Sequence, residues 1–162
     1  MQLSSVNSKL AIDGGVPTRR AAFPKWPVFD EHEERLLLEV LHSGEWGALK
    51  GSKTAEFQAR FAAYQEARFG ICVPNGTLAL ELALKALGVR HGDEVITTPY
   101  TFVATANAAI AIGAVPVFAD IDLDSYNLDP AEVEKVVTPR TRVILPVHMG
   151  GRPADMDALG AI

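Results

Sequence analysis

The 162 residues are 48% hydrophobic and 22% charged, the balance of an ordinary globular protein with chain enough for one core or for part of a larger one. A net charge of −5 supplies no basic stripe to neutralise phosphates, which argues against nucleic acid as the main partner. No apolar stretch approaches the ~20 residues that cross a bilayer, MQLSSVNSKLAIDGG holds no signal-peptide core, and the single cysteine, Cys72, allows no internal disulfide, so the expected compartment is the reducing cytoplasm.

Residues 1–29 read as an irregular arm broken by Gly14, Gly15, Pro17, Pro24 and Pro27, with Trp26 suited to packing on something. Asp30 is placed to cap a helix over 31–42 that carries Leu36, Leu37, Val40 and Leu41 on one side. After the loop SGEWGALKGS, Ser52 or Thr54 starts a second helix in which Phe57, Phe61 and Tyr64 recur at helical spacing. From residue 69 the pattern changes. FGICVPNG reads as a strand ending in a turn, with Cys72 a core thiol, and Thr77 to Leu87 as a helix stopped by Gly88. DEVITTP is a strand, TFVATANAAIAIG a helix ending at Gly113, and AVPVFADI a strand. DPAEVEKVV is a helix capped by Asp129 with Pro130 first, RVILPVHM a strand, and PADMDALGAI another helix. Near-continuous apolar strands alternating with helices predict an α/β fold, a doubly wound, mostly parallel sheet with helices on both faces. The last helix stops after about two turns with no later strand to cover that flank, so residues 30–162 are expected to be the front portion of a truncated domain.

In an open parallel sheet, ligands bind outside the carboxyl ends of the strands. Three loops expected there carry candidate chemistry. In Pro74-Asn75-Gly76-Thr77, Gly76 permits close backbone approach, the first helical amides point outward, and Thr77 adds a hydroxyl, a set suited to phosphate; the alternative is a plain turn with Thr77 as N-cap. In Pro99-Tyr100-Thr101-Phe102 an aromatic can stack on a flat ring or simply anchor the next helix. Asn107 in that helix needs a partner, met in the bland reading by a core hydrogen bond. In Pro146-Val147-His148-Met149-Gly150-Gly151, His148 is an acid, a base, a ring neighbour or a satisfied structural residue. Asp120, Asp122 and Asp124 lack the glycine and distal glutamate of a calcium loop and read as turn and capping residues. Neither Gly-x-Ser-x-Gly, Gly-x-Gly-x-x-Gly nor the P-loop pattern occurs.

Taken together and in order, GGVPTR…FPKWP, SGEWGALKGSKTAEFQARFAAY, VPNGTLALELALKALGVRHGDEVITTPYTFVATANAAIAIGAVPVFADID and YNLDPAEVEKVVTPRTRVILPVHMGGRPADMDAL resemble the DegT/StrS family of pyridoxal-phosphate-dependent sugar aminotransferases. The resemblance spans nearly the whole chain but is collinear with only the first part of such an enzyme. It implies the large domain of a fold-type I transferase and pyridoxal 5'-phosphate as cofactor. It implies Gly76 and Thr77 on the cofactor phosphate, Phe102 stacked on the pyridine ring, and Asn107 near the site. It further implies transfer of an amino group from glutamate or glutamine to a keto-sugar or keto-cyclitol, often nucleotide-linked, by a homodimer whose site lies at the subunit interface, with GEWGALKG facing it. Where many relatives read His-Leu-Tyr-Gly, this chain has His148-Met149-Gly150-Gly151. The family's Schiff-base lysine and its pyridinium-pairing aspartate lie further along than residue 162, and none of Lys9, Lys25, Lys50, Lys53, Lys85 and Lys135 stands in a matching motif. The expectation is therefore no catalytic residue within this chain. The alternative is an inactive fragment or interaction module that keeps a residual phosphate site.

Overall fold

The computed structural model describes residues 9–162, so the first eight residues of the expected arm lie outside the described residues. The chain divides into two compact units, one ending at Gly70 and one spanning Ile71–Ile162.

In the first unit, helix α1 (Glu31–Ser43) begins as Asp30 predicts: its Oδ1 accepts from His32 N at 2.7 Å while Asp30 N donates to Glu33 Oε2 at 2.9 Å. Helix α2 (Ser52–Tyr64) has Gly51 at its N-cap with no side-chain bond, so neither Ser52 nor Thr54 caps it. Lys53 Nζ reaches Glu39 Oε1 at 2.9 Å between the two helices, and Phe57 and Phe61 stack with ring centroids 5.5 Å apart. Among the described residues of this unit only Ala62 is buried; Trp26, Leu37, Leu41 and Tyr64 are exposed, so the expected packing of Trp26 is not seen. Two short amphipathic helices cannot enclose a core, and the apolar faces that the 3.6 periodicity marks out remain uncovered.

The second unit is a three-stranded parallel sheet with helices on both faces. Its elements run α3 (Gly76–Ala86), β1 (Glu94–Thr97), α4 (Ala104–Ala111), β2 (Val115–Phe118), α5 (Pro130–Val136), β3 (Thr141–Leu145) and α6 (Met156–Ala161). The strand order is β2-β1-β3. Val95 pairs with Pro116 on one side and Val143 on the other. All four residues of β1 are buried, because it is the central strand and is covered on both faces. Val95, Val143 and Leu145 turn toward α3 and α4, packing with Leu84, Ala108 and Ala109. Ile96, Val117 and Ile144 turn the other way, onto Leu128, Val133 and Leu159. The step from β1 to β2 and the return past β1 to β3 run in opposite directions, and right-handed crossovers then put their helices on opposite faces. The doubly wound parallel architecture follows.

Three expectations need correction. Residues 69–73 form no strand: both edges of β1 are taken, and FGIC pairs with no described strand, leaving Ile71 73% exposed. Cys72 is accordingly exposed, not a core thiol. Asn107 is exposed on α4, where Thr105, Ala108 and Ala109 supply the buried face, so no core hydrogen bond is required of it.

At the amino end of β1, Glu94 is 3% exposed. Its carboxylate accepts from Thr138 Oγ1, from Arg140 Nε at 2.9 Å and from Arg140 Nη2 at 2.6 Å. Those bonds, Thr138's foremost and then Arg140's, hold its carboxyl below the ordinary glutamate range. They tie β1 to the start of β3 beside the register shift between Glu94 and Val95. Among the described residues no helix is long and apolar enough to cross a membrane.

Candidate functional site

Helix α3 enters β1 through residues 87–93 and α4 leaves it through residues 98–103, and both pack on one face of the sheet. Both helices therefore run against the strand and bring their N-termini to its carboxyl end. That end is held firmly. Thr97 Oγ1 donates to Leu145 O at 2.8 Å, locking β1 to β3, and buried Thr98 accepts from Tyr100 N at 3.1 Å to turn the chain. Thr101 and Thr105 hydroxyls bond at 2.8 Å across the first turn of α4.

The N-terminus of α3 is the best-defined feature here. Asn75, in extended conformation, is its N-cap: Oδ1 accepts from Leu78 N at 3.0 Å. Its carbonyl takes Ala79 N at 3.2 Å. The amides of Gly76 and Thr77, the first two of the helix, have no intrahelical acceptor, as helix geometry dictates, and no bond to them or to the Thr77 hydroxyl is found among the described residues. With Asn75 capping, Thr77 does not. A Cβ built on Gly76 meets nothing within 4 Å, so the protein's own packing gives no reason for glycine there. Two unpaired amides, one hydroxyl and the positive helix end make a donor set complementary to an anion.

Phe102 lies two residues before α4 and is 79% exposed; Asn107 lies in the second turn of α4, also exposed. The packing of α3 on α4 brings Gly76, Thr77 and Phe102 to the same end of one face, with Asn107 a turn further along. No hydrogen bond or ring contact among the described residues joins any two of the four.

On the far side of the strand ends, the loops after β2 and β3 meet. Tyr100 and Tyr126 approach with centroids 6.1 Å apart. His148 is exposed, and its Nδ1 accepts from Ala154 N at 3.1 Å. Asn127, which sequence reasoning did not single out, is buried and bonds three backbone groups of the β3–α6 loop. An asparagine between Tyr126 and Leu128 reads from sequence only as a turn residue. Asp122 is a turn carboxylate held below its ordinary range by bonds from Ser125, the side chain's foremost, and Asp120 accepts from Ile121 N at 2.8 Å. Among the described residues no group of His, Cys, Asp and Glu could hold a metal ion.

Residues 27–162 match the DegT/DnrJ/EryC1/StrS aminotransferase family. The chain belongs to that family. Among similar members, the L-glutamine:2-deoxy-scyllo-inosose aminotransferase of Micromonospora echinospora is 45% identical over 160 residues, covering 94% of this chain and 38% of the relative. The crystal structure of 3-amino-5-hydroxybenzoic acid synthase superposes with a TM-score of 0.85 at 46% identity, over 88% of this chain and 37% of that one. NtdA from Bacillus subtilis, solved with bound cofactor PMP, superposes with a TM-score of 0.78 at 34% identity, over 88% and 34% respectively. This DegT/DnrJ/EryC1/StrS chain thus spans under two-fifths of the length of the curated relatives it matches, 38% of the one above.

Proposed function

We propose that this chain carries the phosphate-and-ring end of a pyridoxal 5'-phosphate site. The protein would be an aminotransferase moving an amino group from glutamate or glutamine to a keto-sugar or keto-cyclitol, often nucleotide-linked. The bare N-terminus of α3 carries this reading: Asn75 takes the capping role, leaving two amides, the Thr77 hydroxyl and a glycine that packing does not require. This donor set is complementary to a phosphate group. The bound cofactor supplies the electron sink for amino-group chemistry. Gly76 and Thr77 donate to its phosphate, Phe102 offers an exposed ring face to the pyridine, and Asn107 stands near on the same helix. The names of relatives that use glutamine or hold PMP support the reading.

In the same proposal, residues 1–29 are an arm, residues 30–162 the N-terminal portion of the large domain, and the working enzyme a homodimer. Uncovered apolar side chains such as Leu78, Leu82 and Ile110 are consistent with further protein packing on the second unit. The test is titration with pyridoxal 5'-phosphate followed by absorbance. Thr77→Val removes the hydroxyl at constant shape and should weaken binding about 10-fold or more, the effect of one hydrogen bond to a charged group. Unchanged affinity sinks the phosphate assignment. Borohydride reduction of the protein from its native source addresses the alternative of an inactive fragment or interaction module. One fixed cofactor on a product heavier than 17.4 kDa supports the enzyme, and a 17.4 kDa species without adduct supports the alternative.

A further inference from the structure

Asn127 is 3% exposed, and every bonding atom of its side chain is used. Nδ2 donates to the carbonyls of Arg152 at 3.2 Å and Pro153 at 3.1 Å, and Oδ1 accepts from Met149 N at 2.9 Å. All three partners sit in the loop leaving β3, whereas Asn127 sits in the loop leaving β2. Those strands flank β1 on opposite sides, so one amide joins the two outer strand ends across the central one. The β3 loop does not need this for its turn, which has its own bonds, Gly151 N to His148 O at 3.1 Å and Arg152 N to Met149 O at 3.0 Å. What the amide adds is a fixed separation between the two ends of the arc 148–154.

That arc closes through the imidazole: Ala154 N donates to His148 Nδ1 at 3.1 Å. Ala154 is itself anchored, 5% exposed and in the same buried cluster as Leu128, the neighbour of Asn127. A ring whose Nδ1 accepts carries its proton on Nε2, and no partner for Nε2 is found among the described residues. We infer that Asn127 is a positioning residue: it holds the His148–Ala154 arc so that His148 presents a fixed Nε2–H donor to an oxygen acceptor of the ligand bound at the strand ends. The presence of that ligand rests on the proposed cofactor site; the tautomer lock does not.

The experiment is ¹⁵N NMR of the histidine-labelled protein, with and without pyridoxal 5'-phosphate and then glutamine. His148 should show the single Nε2–H form in the parent and a mixture of both tautomers in Asn127→Ala. A shift of Nε2 on adding the cofactor alone assigns the acceptor to it, and a shift only on adding glutamine assigns it to the substrate. In absorbance titrations Asn127→Ala and His148→Ala should each weaken cofactor binding about 2- to 12-fold, the span of one hydrogen bond. The double variant should lose little more than either alone, since both act through one ring. Additive losses, or a His148 spectrum unchanged in Asn127→Ala, overturn the assignment. Should Asn127→Ala fail to fold, Asn127→Asp keeps the acceptor for Met149 N and loses both donors; an Nδ1–H tautomer in the parent is fatal by itself. A parent that binds no cofactor but keeps the locked tautomer overturns the cofactor reading and the donor role of His148 with it, and leaves only the tautomer lock by Asn127 standing.

Discussion

Replacing Gly76 with alanine should move stability and cofactor affinity in opposite directions. Gly76 is the first residue of α3, lies outside the left-handed region, and has no atom within 4 Å of a built Cβ. The folded protein thus accepts a methyl without strain, while the unfolded chain loses freedom, a gain of about 0.4–1 kcal/mol. At about 2–4 °C per kcal/mol for a chain of this size, Tm without ligand should rise by roughly 1–4 °C. The same methyl stands beside the amides of Gly76 and Thr77. A phosphate drawn to those amides is pushed away, and losing even one charge-assisted bond, about 1.5–3 kcal/mol, raises Kd ~10- to 150-fold. Thermal unfolding without ligand and absorbance titration with pyridoxal 5'-phosphate read the two effects separately. A raised Tm with Kd unchanged within about twofold refutes the phosphate role of this turn. A lowered Tm refutes the argument that the space is free.

Other substitutions test the frame. Leu84→Ala empties a 2%-exposed position between α3 and the sheet and should cost about 2–5 kcal/mol, seen as a lower urea midpoint. Gly113→Ala meets both a φ of +80° and a Cβ 2.8 Å from His91 Cδ2, so it should destabilise by about 1 kcal/mol or more, with circular dichroism melts as the check. Glu94 has its carboxyl held below the unfolded value of about 4.3. Its contribution is therefore present above that pH and lost as pH falls through the folded value. Glu94→Gln should lower the urea midpoint at pH 7 and flatten its fall between pH 5 and pH 3; an equally steep fall means that other carboxylates govern acid unfolding.

What the sequence discloses depends on how local the deciding interaction is. Asp30, and Asp129 with Pro130, announce α1 and α5 because a cap is settled within four residues. The strand β1 shows through the β-branched run Val95-Ile96-Thr97 ahead of Pro99, also a local signal. FGIC has similar apolar composition but forms no strand, since pairing requires an available neighbour that composition does not specify. At the strand ends, the Asn-Gly-Thr turn reads from sequence as a candidate anion site or a plain turn, and which residue caps the helix, Asn75 or Thr77, is settled only by the hydrogen bonds. Asn127 was invisible because its partners lie 22 to 26 residues away and are all backbone.

The order β2-β1-β3 also sets a timetable. As the chain leaves the ribosome, β1 can pair at once with β2, but its other edge waits for β3, whose Leu145 carbonyl is 48 residues downstream of Thr97. At about 5–20 residues per second, that edge stays open for roughly 2–10 s. During that interval Val95 and Ile96, fully buried in the finished fold, border an unpaired backbone. Slow or paused emergence of residues 118–141 from the ribosome should therefore favour mispairing in the nascent chain, while a delay once Leu145 has emerged should matter far less to the closing of this sheet.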